Sequence, residues 1–240
     1  MDPREPRADD TPPPAMPVID EASRQLRAPW AASIAGILFA VLFTGSLVLL
    51  RTQAMLSADD QELIDLYASG GDTAGLIGGL YLAPFAGIMF LWFIAVIRDQ
   101  IGEREDRFFA TVFFGSGLIF VALLFAATAI ATAPIVGSRY LGLGAPTAEE
   151  VQVYRSISYT LMFGFATRAA AVFMIATATI GVRSRTFPRW FAWTGYLLGL
   201  VLLLVVSVLD WAVLVLPAWV AVVSVFILRR ERVRRASTAA

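Results

Sequence analysis

Several residue types that proteins commonly use for chemistry are missing from this chain. It contains no cysteine and no histidine, and the printed sequence shows no lysine and no asparagine, so all 19 basic residues are arginine. Without cysteine and histidine, the usual ligands of zinc, copper, haem iron and iron–sulfur clusters are absent. The same absences exclude Ser–His and Cys–His catalysis and a lysine Schiff base. We therefore predict a protein that is not an enzyme and that uses no cofactor.

Charged residues are also scarce. They make up 16% of the 240 residues, against about 25% in an average soluble domain. Hydrophobic residues reach 58%, and the mean hydropathy of +0.71 is positive. The 19 basic residues are matched by 19 acidic ones, whereas nucleic-acid-binding domains usually carry a clustered basic excess. This composition predicts a membrane protein that has no nucleic-acid partner.

Long apolar runs divide the chain into potential membrane spans. A helix needs about 20 apolar residues to cross the roughly 30 Å of hydrocarbon in a bilayer. The last run, from Trp190 to Leu228, is about twice that length, and Asp210 near its middle predicts a tight hairpin of two helices. We therefore expect an all-α, polytopic membrane helix bundle of about six transmembrane helices. The predicted spans are residues 28–50, 76–97, 108–133, 157–182, 190–208 and 211–228.

The distribution of arginine predicts the orientation of this bundle, because positively charged loops tend to remain in the cytoplasm. If both termini are cytoplasmic, fifteen arginines lie on that side, and only Arg51, Arg139 and Arg155 lie outside. The remaining one, Arg168, falls within an apolar run. We therefore predict that both termini are cytoplasmic and that the chain is a multi-pass protein of the cell membrane.

Polar segments flank and interrupt the six-helix domain, which is predicted to span residues 28–229. Residues 1–27 are rich in proline and carry too few apolar side chains to form a core, so we expect a disordered cytoplasmic tail. Residues 230–240 form a basic tail, and each arginine near an anionic leaflet contributes about 1 kcal/mol to binding. This tail is predicted to contact anionic lipids. The outer loops are predicted at residues 51–75 and 134–156.

The second of these outer loops contains a signal for the start of a helix. Thr147 and Glu150 have the spacing of a capping box, in which two side chains satisfy backbone N–H groups at a helix N-terminus. No proline follows before Gly181. The fourth membrane helix is therefore predicted to begin near Ala148 and to project beyond the bilayer.

Arg168 interrupts the apolar run Thr160 to Gly181 and is the main candidate site residue. A guanidinium cannot lose its charge by deprotonation, and a charge at bilayer depth costs about 2.5 kcal/mol or more. Asp210 is the only carboxylate within any of the apolar runs, so we predict that Arg168 reaches toward Asp210, with Thr167 as a small polar neighbour. Two interpretations remain open: a buried pair that sets helix packing, and a pair that contacts a ligand.

One stretch of the chain resembles a known group of proteins. The string IRDQIGEREDRFFATVFFGSGLIFVALLFAATA, residues 97–129, is similar to small uncharacterised multi-pass membrane proteins of actinobacteria. The resemblance implies a bacterial membrane protein and brings no known activity with it. The frequent use of arginine and alanine in place of lysine and asparagine is typical of GC-rich bacterial genomes.

Two functions from different classes fit these observations. The first is a non-catalytic accessory or scaffolding membrane subunit, whose helices and outer loops pack on a membrane protein partner within the lipid bilayer. The alternative is a small-solute, lipid or ion transporter that uses a polar cavity around Arg168. The absence of a catalytic constellation favours the first, and the membrane-embedded arginine favours the second.

Overall fold

The computed structural model describes residues 29–52, 74–101, 107–144, 146–183, 188–204 and 210–238. Within these ranges the chain is helical and has no β-strand, as expected in a bilayer, where a helix satisfies its own backbone hydrogen bonds. The elements are α1 (Pro29–Thr52), α2 (Ala74–Ile101), α3 (Arg107–Tyr140), α4 (Ala148–Tyr159), a π-helical segment (Thr160–Ala166), α5 (Thr167–Arg183), α6 (Arg189–Leu204), a 3₁₀ turn (Asp210–Leu214) and α7 (Val215–Thr238).

Five helical stretches are long and apolar enough to cross a membrane. They are Trp30–Leu49, Tyr81–Arg98, Phe108–Ser138, Ala148–Arg183 and Ala212–Val233. The predicted all-helical class is therefore confirmed, and the five stretches support a multi-pass membrane protein. Helix α6 is apolar but has only 16 residues, about 24 Å at 1.5 Å per residue. A sixth span and the cytoplasmic position of both termini thus stay predictions, and the predicted tail 1–27 lies outside the described residues.

The helices extend further on the predicted outer side than the apolar runs suggest. Helix α3 continues to Tyr140, beyond its predicted end at residue 133, and α4 already begins at Ala148. Most of the predicted outer loop 134–156 is therefore helical. The other predicted outer loop, residues 51–75, falls almost entirely outside the described ranges.

The connection between α3 and α4 is built from local signals. At the end of α3, Gly142 adopts a φ of 68°, and the Leu143 N–H donates to the Gly137 carbonyl at 3.1 Å. At the start of α4, the Thr147 N–H donates to Glu150 Oε2 at 2.9 Å, and the Glu150 N–H donates to Thr147 Oγ1 at 3.3 Å. The predicted capping box is confirmed, and the helical stretch it begins runs without a break to Arg183.

The helices pack mostly against their neighbours in the chain. Helix α1 packs against α2 and α7, α2 against α3, α3 against α4 and α5, and α5 against α6. Helices α6 and α7 meet through aromatic side chains, since the Phe191 ring stacks on Trp219 with a centroid separation of 4.3 Å. Between α1 and α2, the Ser46 hydroxyl donates to the Gly79 carbonyl at 2.8 Å.

Phenylalanine rings fill the centre of the bundle. Phe90 on α2 is completely buried, and its ring centroid lies 4.5 Å from that of Phe39 on α1, 5.4 Å from Phe120 on α3 and 5.0 Å from Phe173 on α5. Phe113 extends the group by stacking on Phe173 at 4.8 Å. Four helices are thus joined by one continuous aromatic core.

Candidate functional site

The π-helical segment Thr160–Ala166 lies between α4 and α5, directly before Arg168. In a π-helix each N–H bonds to the carbonyl five residues earlier, so the segment holds more residues per turn than the α-helix around it. At its end, the Thr167 N–H donates to the Met162 carbonyl in this pattern. Short π-helical segments within α-helices occur frequently at functional sites.

The side chain of Thr167 closes the end of the π-helical segment. Thr167 is buried, and its hydroxyl donates to the Met162 carbonyl at 3.0 Å. The same carbonyl therefore accepts both the N–H and the O–H of Thr167. Because the hydroxyl has a single proton, Thr167 can offer a further partner only its oxygen lone pairs. It is suited to accept a hydrogen bond and unsuited to donate one to an anion.

Arg168 is partly buried and turns back along its own helix. Its guanidinium Nη1 donates to the carbonyl of Gly164, one turn earlier. A helical Cα–Cβ bond tilts toward the helix N-terminus, so this contact continues the natural direction of the side chain. The charge is therefore displaced toward α4 and the predicted outer surface, as in the snorkelling of long basic side chains.

The depth of Arg168 follows from its position in α5. It is the second residue of this 17-residue helix, which ends at Arg183, so it lies about 22 Å from Arg183 along the axis at 1.5 Å per residue. The hydrocarbon is about 30 Å thick. If Arg183 lies at the inner boundary of the hydrocarbon, Arg168 therefore lies in the third of the hydrocarbon nearest the outer boundary. The guanidinium then lies near the predicted outer boundary rather than at the midplane.

The structure brings the chain segment of the predicted partner, Asp210, close to this site. Asp210 begins the 3₁₀ turn Asp210–Leu214, and this turn packs against the π-helical segment. The side chain of Asp210 lies outside the described residues. The backbone arrangement is compatible with the Arg168–Asp210 pair, and the pair itself stays a prediction.

The chemistry available at this site is recognition of an anion or of a carbonyl oxygen. A guanidinium has five N–H donors, and the Gly164 carbonyl accepts from one of them. The remaining donors can bind a carboxylate or phosphate in a bidentate manner. Within the described ranges, His, Cys, Asp and Glu form no group of three or more that could hold a metal ion.

Two features near the candidate site were not predicted from the sequence. The first is the π-helical segment Thr160–Ala166, for which the sequence carries no signal that was used. The second is a hydrogen bond at 2.8 Å from the Ser158 hydroxyl to the Ala127 carbonyl, which joins α4 to α3 just before the π-helical segment. Both depend on how the helices meet.

Comparison of the chain with protein-family models, curated proteins and solved structures finds no match. The candidate site is therefore interpreted from its own geometry.

Proposed function

We propose that this protein is a non-catalytic accessory or scaffolding subunit of the membrane. The observation that carries the proposal is the aromatic core around Phe90, which joins α1, α2, α3 and α5 through ring contacts of 4.5 to 5.4 Å. A transported solute needs a path between helices, and closely packed rings occupy the centre where four of these helices meet. A rigid, filled bundle is suited to holding a surface in place for a partner.

The surface that fits this role is the projecting hairpin, which we define as residues 134–157. Helix α3 has 34 residues and Ala148–Arg183 has 36, so each exceeds the roughly 30 Å of hydrocarbon by about 20 Å when it lies along the membrane normal. Large apolar side chains are exposed on this hairpin at Tyr140 (71%), Leu141 (68%), Leu143 (76%) and Val153 (54%).

Exposed apolar side chains of this kind are expected in lipid and are unfavourable in water. Apolar surface removed from water contributes about 25 cal/mol per Å², and contiguous exposed patches mark interaction sites on soluble surfaces. The projecting hairpin also contains the capping box that fixes the start of α4. It therefore offers an ordered apolar surface to a membrane protein partner.

Site-specific photocrosslinking in native membranes tests this proposal. A photoreactive residue at Leu143 or Val153 should give one discrete protein adduct, which copurifies stoichiometrically after mild detergent extraction. Leu197 on α6 is a matched control, since its side chain is also 62% exposed and lies in a predicted span. The proposal fails if the hairpin positions give no adduct or only the adducts that Leu197 gives.

The second candidate function is a small-solute, lipid or ion transporter that uses a polar cavity around Arg168. The π-helical segment and the membrane-embedded guanidinium favour it. If Arg168 and Asp210 form a structural pair, Arg168→Leu and Asp210→Leu should each lower the melting temperature in detergent. The double variant should recover much of the loss, because removing one partner of a buried pair leaves the other charge uncompensated. Full stability combined with lost ligand retention would instead assign Arg168 to a transport site.

A further inference from the structure

At the end of the bundle opposite the projecting hairpin, two arginines from different helices lie on aromatic rings of α3. The guanidinium carbon of Arg98, in the last turn of α2, lies 4.8 Å from the ring centroid of Phe114. The guanidinium carbon of Arg183, in the last turn of α5, lies 4.5 Å from the ring centroid of Phe109. Both arginine side chains are exposed, and both rings belong to the first turns of α3.

The two arginines flank α3 on different sides. Phe109 and Phe114 are five residues apart, which corresponds to about 140° around a helix of 3.6 residues per turn. Phe114 lies toward α2 and Phe109 toward α5, as the positions of their arginines require. The start of α3 is thus bordered by one cationic group in each of its two interhelical grooves.

An aromatic platform positions a guanidinium without neutralising it. The ring attracts the cation through its quadrupole, but it carries no net charge, so the Arg98–Phe114 pair remains cationic. A guanidinium also keeps its N–H donors in a planar fork that matches the oxygens of a phosphate. Within the described part of the chain no carboxylate pairs with Arg98, so its guanidinium is held on the ring with its charge available to an anion.

The residues around Arg98 favour an anionic lipid over a water-soluble anion as its ligand. Arg98 ends the apolar stretch Tyr81–Arg98, which is long enough to cross a membrane. On α3, Leu118 is 45% exposed on the face that carries Phe114, and a Cβ added at Gly115 would meet no atom within 4 Å. An open, apolar strip therefore continues from the guanidinium into the predicted membrane interior.

We propose that Arg98 on Phe114 binds the phosphate of an anionic phospholipid, whose acyl chain lies along the groove between α2 and α3. Arg183 on Phe109, at the start of the groove between α3 and α5, has further contacts within the protein and is not part of this site. Basic sites between transmembrane helices are a known mode of headgroup recognition. This position is distinct from the predicted basic C-terminal tail, residues 230–240.

Lipid retention by the full chain tests the proposal. The protein is reconstituted in phosphatidylcholine nanodiscs with a minor fraction of phosphatidylglycerol, released into mild detergent, and examined by native mass spectrometry. Arg98→Gln should weaken phosphatidylglycerol retention by about fivefold, the factor that corresponds to roughly 1 kcal/mol for one basic residue. Arg98→Lys should retain part of the binding because it keeps the charge.

The salt dependence of lipid retention distinguishes Arg98 from the basic tail. Arg98 and Arg232 are both exposed in the protein, but the proposed acyl chain covers the groove at Arg98 and leaves Arg232 in water, where high salt screens its charge. Arg232→Gln should therefore weaken retention at low salt only, whereas the effect of Arg98→Gln should persist at high salt. Free glycerol phosphate at the same concentration should not displace the lipid.

Several results would overturn the proposal. It fails if Arg98→Gln retains phosphatidylglycerol at high salt as the natural chain does, or if both proteins retain phosphatidylcholine as well as phosphatidylglycerol. Displacement by glycerol phosphate would assign the position to a soluble phosphate. An equal fall in melting temperature in nanodiscs with and without phosphatidylglycerol, with unchanged lipid retention, would assign Arg98 to an ion pair within the protein.

Discussion

Replacement of Gly36 by alanine tests how closely α1 and α7 approach each other. A Cβ added at Gly36 would collide with the hydroxyl oxygen of Ser224 on α7 and would lie 2.9 Å from Cδ2 of Phe93 on α2. Ser224 and Phe93 are 0% and 1% exposed, so neither side chain can move into free space. Gly36→Ala must therefore push α1 away from its two neighbours or force a side chain out of its rotamer.

Two opposing effects set the change in the free energy of unfolding caused by Gly36→Ala. Adding a methylene to a well-packed core costs about 1 to 3 kcal/mol, and a contact this close places Gly36→Ala at the upper end. The greater helix propensity of alanine offsets about 1 kcal/mol. We expect a net loss of about 2 kcal/mol, which corresponds to a fall in melting temperature of roughly 4 to 8 °C for a chain of this size.

Ser224→Ala should compensate for part of this loss. The Ser224 hydroxyl is buried and has no hydrogen-bond partner among the described residues, so its removal alone should be neutral or slightly stabilising. In the double variant the closest obstructing atom is gone, and only the Phe93 contact remains. We expect the double variant to recover about half of the loss caused by Gly36→Ala, an interaction that a double-mutant cycle measures directly.

The assay is thermal unfolding in detergent, followed by tryptophan fluorescence. Gly45→Ala is the matched control on the same helix, because its added Cβ would meet its nearest atom, of Leu82, at an ordinary 3.6 Å. Gly45→Ala should keep or raise the melting temperature. Equal melting temperatures for Gly36→Ala and Gly45→Ala, or strictly additive effects of Gly36→Ala and Ser224→Ala, would refute the close approach of α1 and α7.

Two further predictions concern topology and the start of α4. Because the chain has no native cysteine, Ser57→Cys and Thr147→Cys should react with an impermeant thiol reagent in intact cells, and Ser184→Cys should not; equal labelling of Ser184→Cys would reject the predicted orientation. Thr147→Ala should remove about 1 kcal/mol from the start of α4, seen as faster hydrogen exchange in its first turn. Ser156→Ala, which removes a hydroxyl outside the capping box, should leave that exchange unchanged, and similar exchange in both variants would argue against the cap.

Part of the candidate site could be predicted from residue types alone. Arg168 was identified because a permanent charge within an apolar run needs a partner whatever the fold. The identity of that partner could not be derived in the same way. The Gly164 carbonyl that accepts from Arg168 belongs to the π-helical segment, and a backbone carbonyl carries no sequence signature.

Local signals in the sequence specify the all-helical class of the protein and the residue at which α4 begins. Apolar runs of sufficient length must form helices in a bilayer, because their backbone groups have no other partners. The capping box of Thr147 and Glu150 is equally local, since both residues act on N–H groups within one turn. Such features depend on neighbours in the chain and can be derived from their order.

The contacts that join separate helices arise only when the helices pack together. The contacts of Phe90 with rings from three other helices, the close approach of Gly36 to Ser224, and the position of Arg98 on Phe114 depend on helix crossing and rotation. Side-chain shape selects these arrangements when the helices pack, because association within lipid depends on close van der Waals contact rather than on burial from water. An apolar run specifies that a helix crosses the membrane. It does not specify which face of that helix packs against a neighbouring helix.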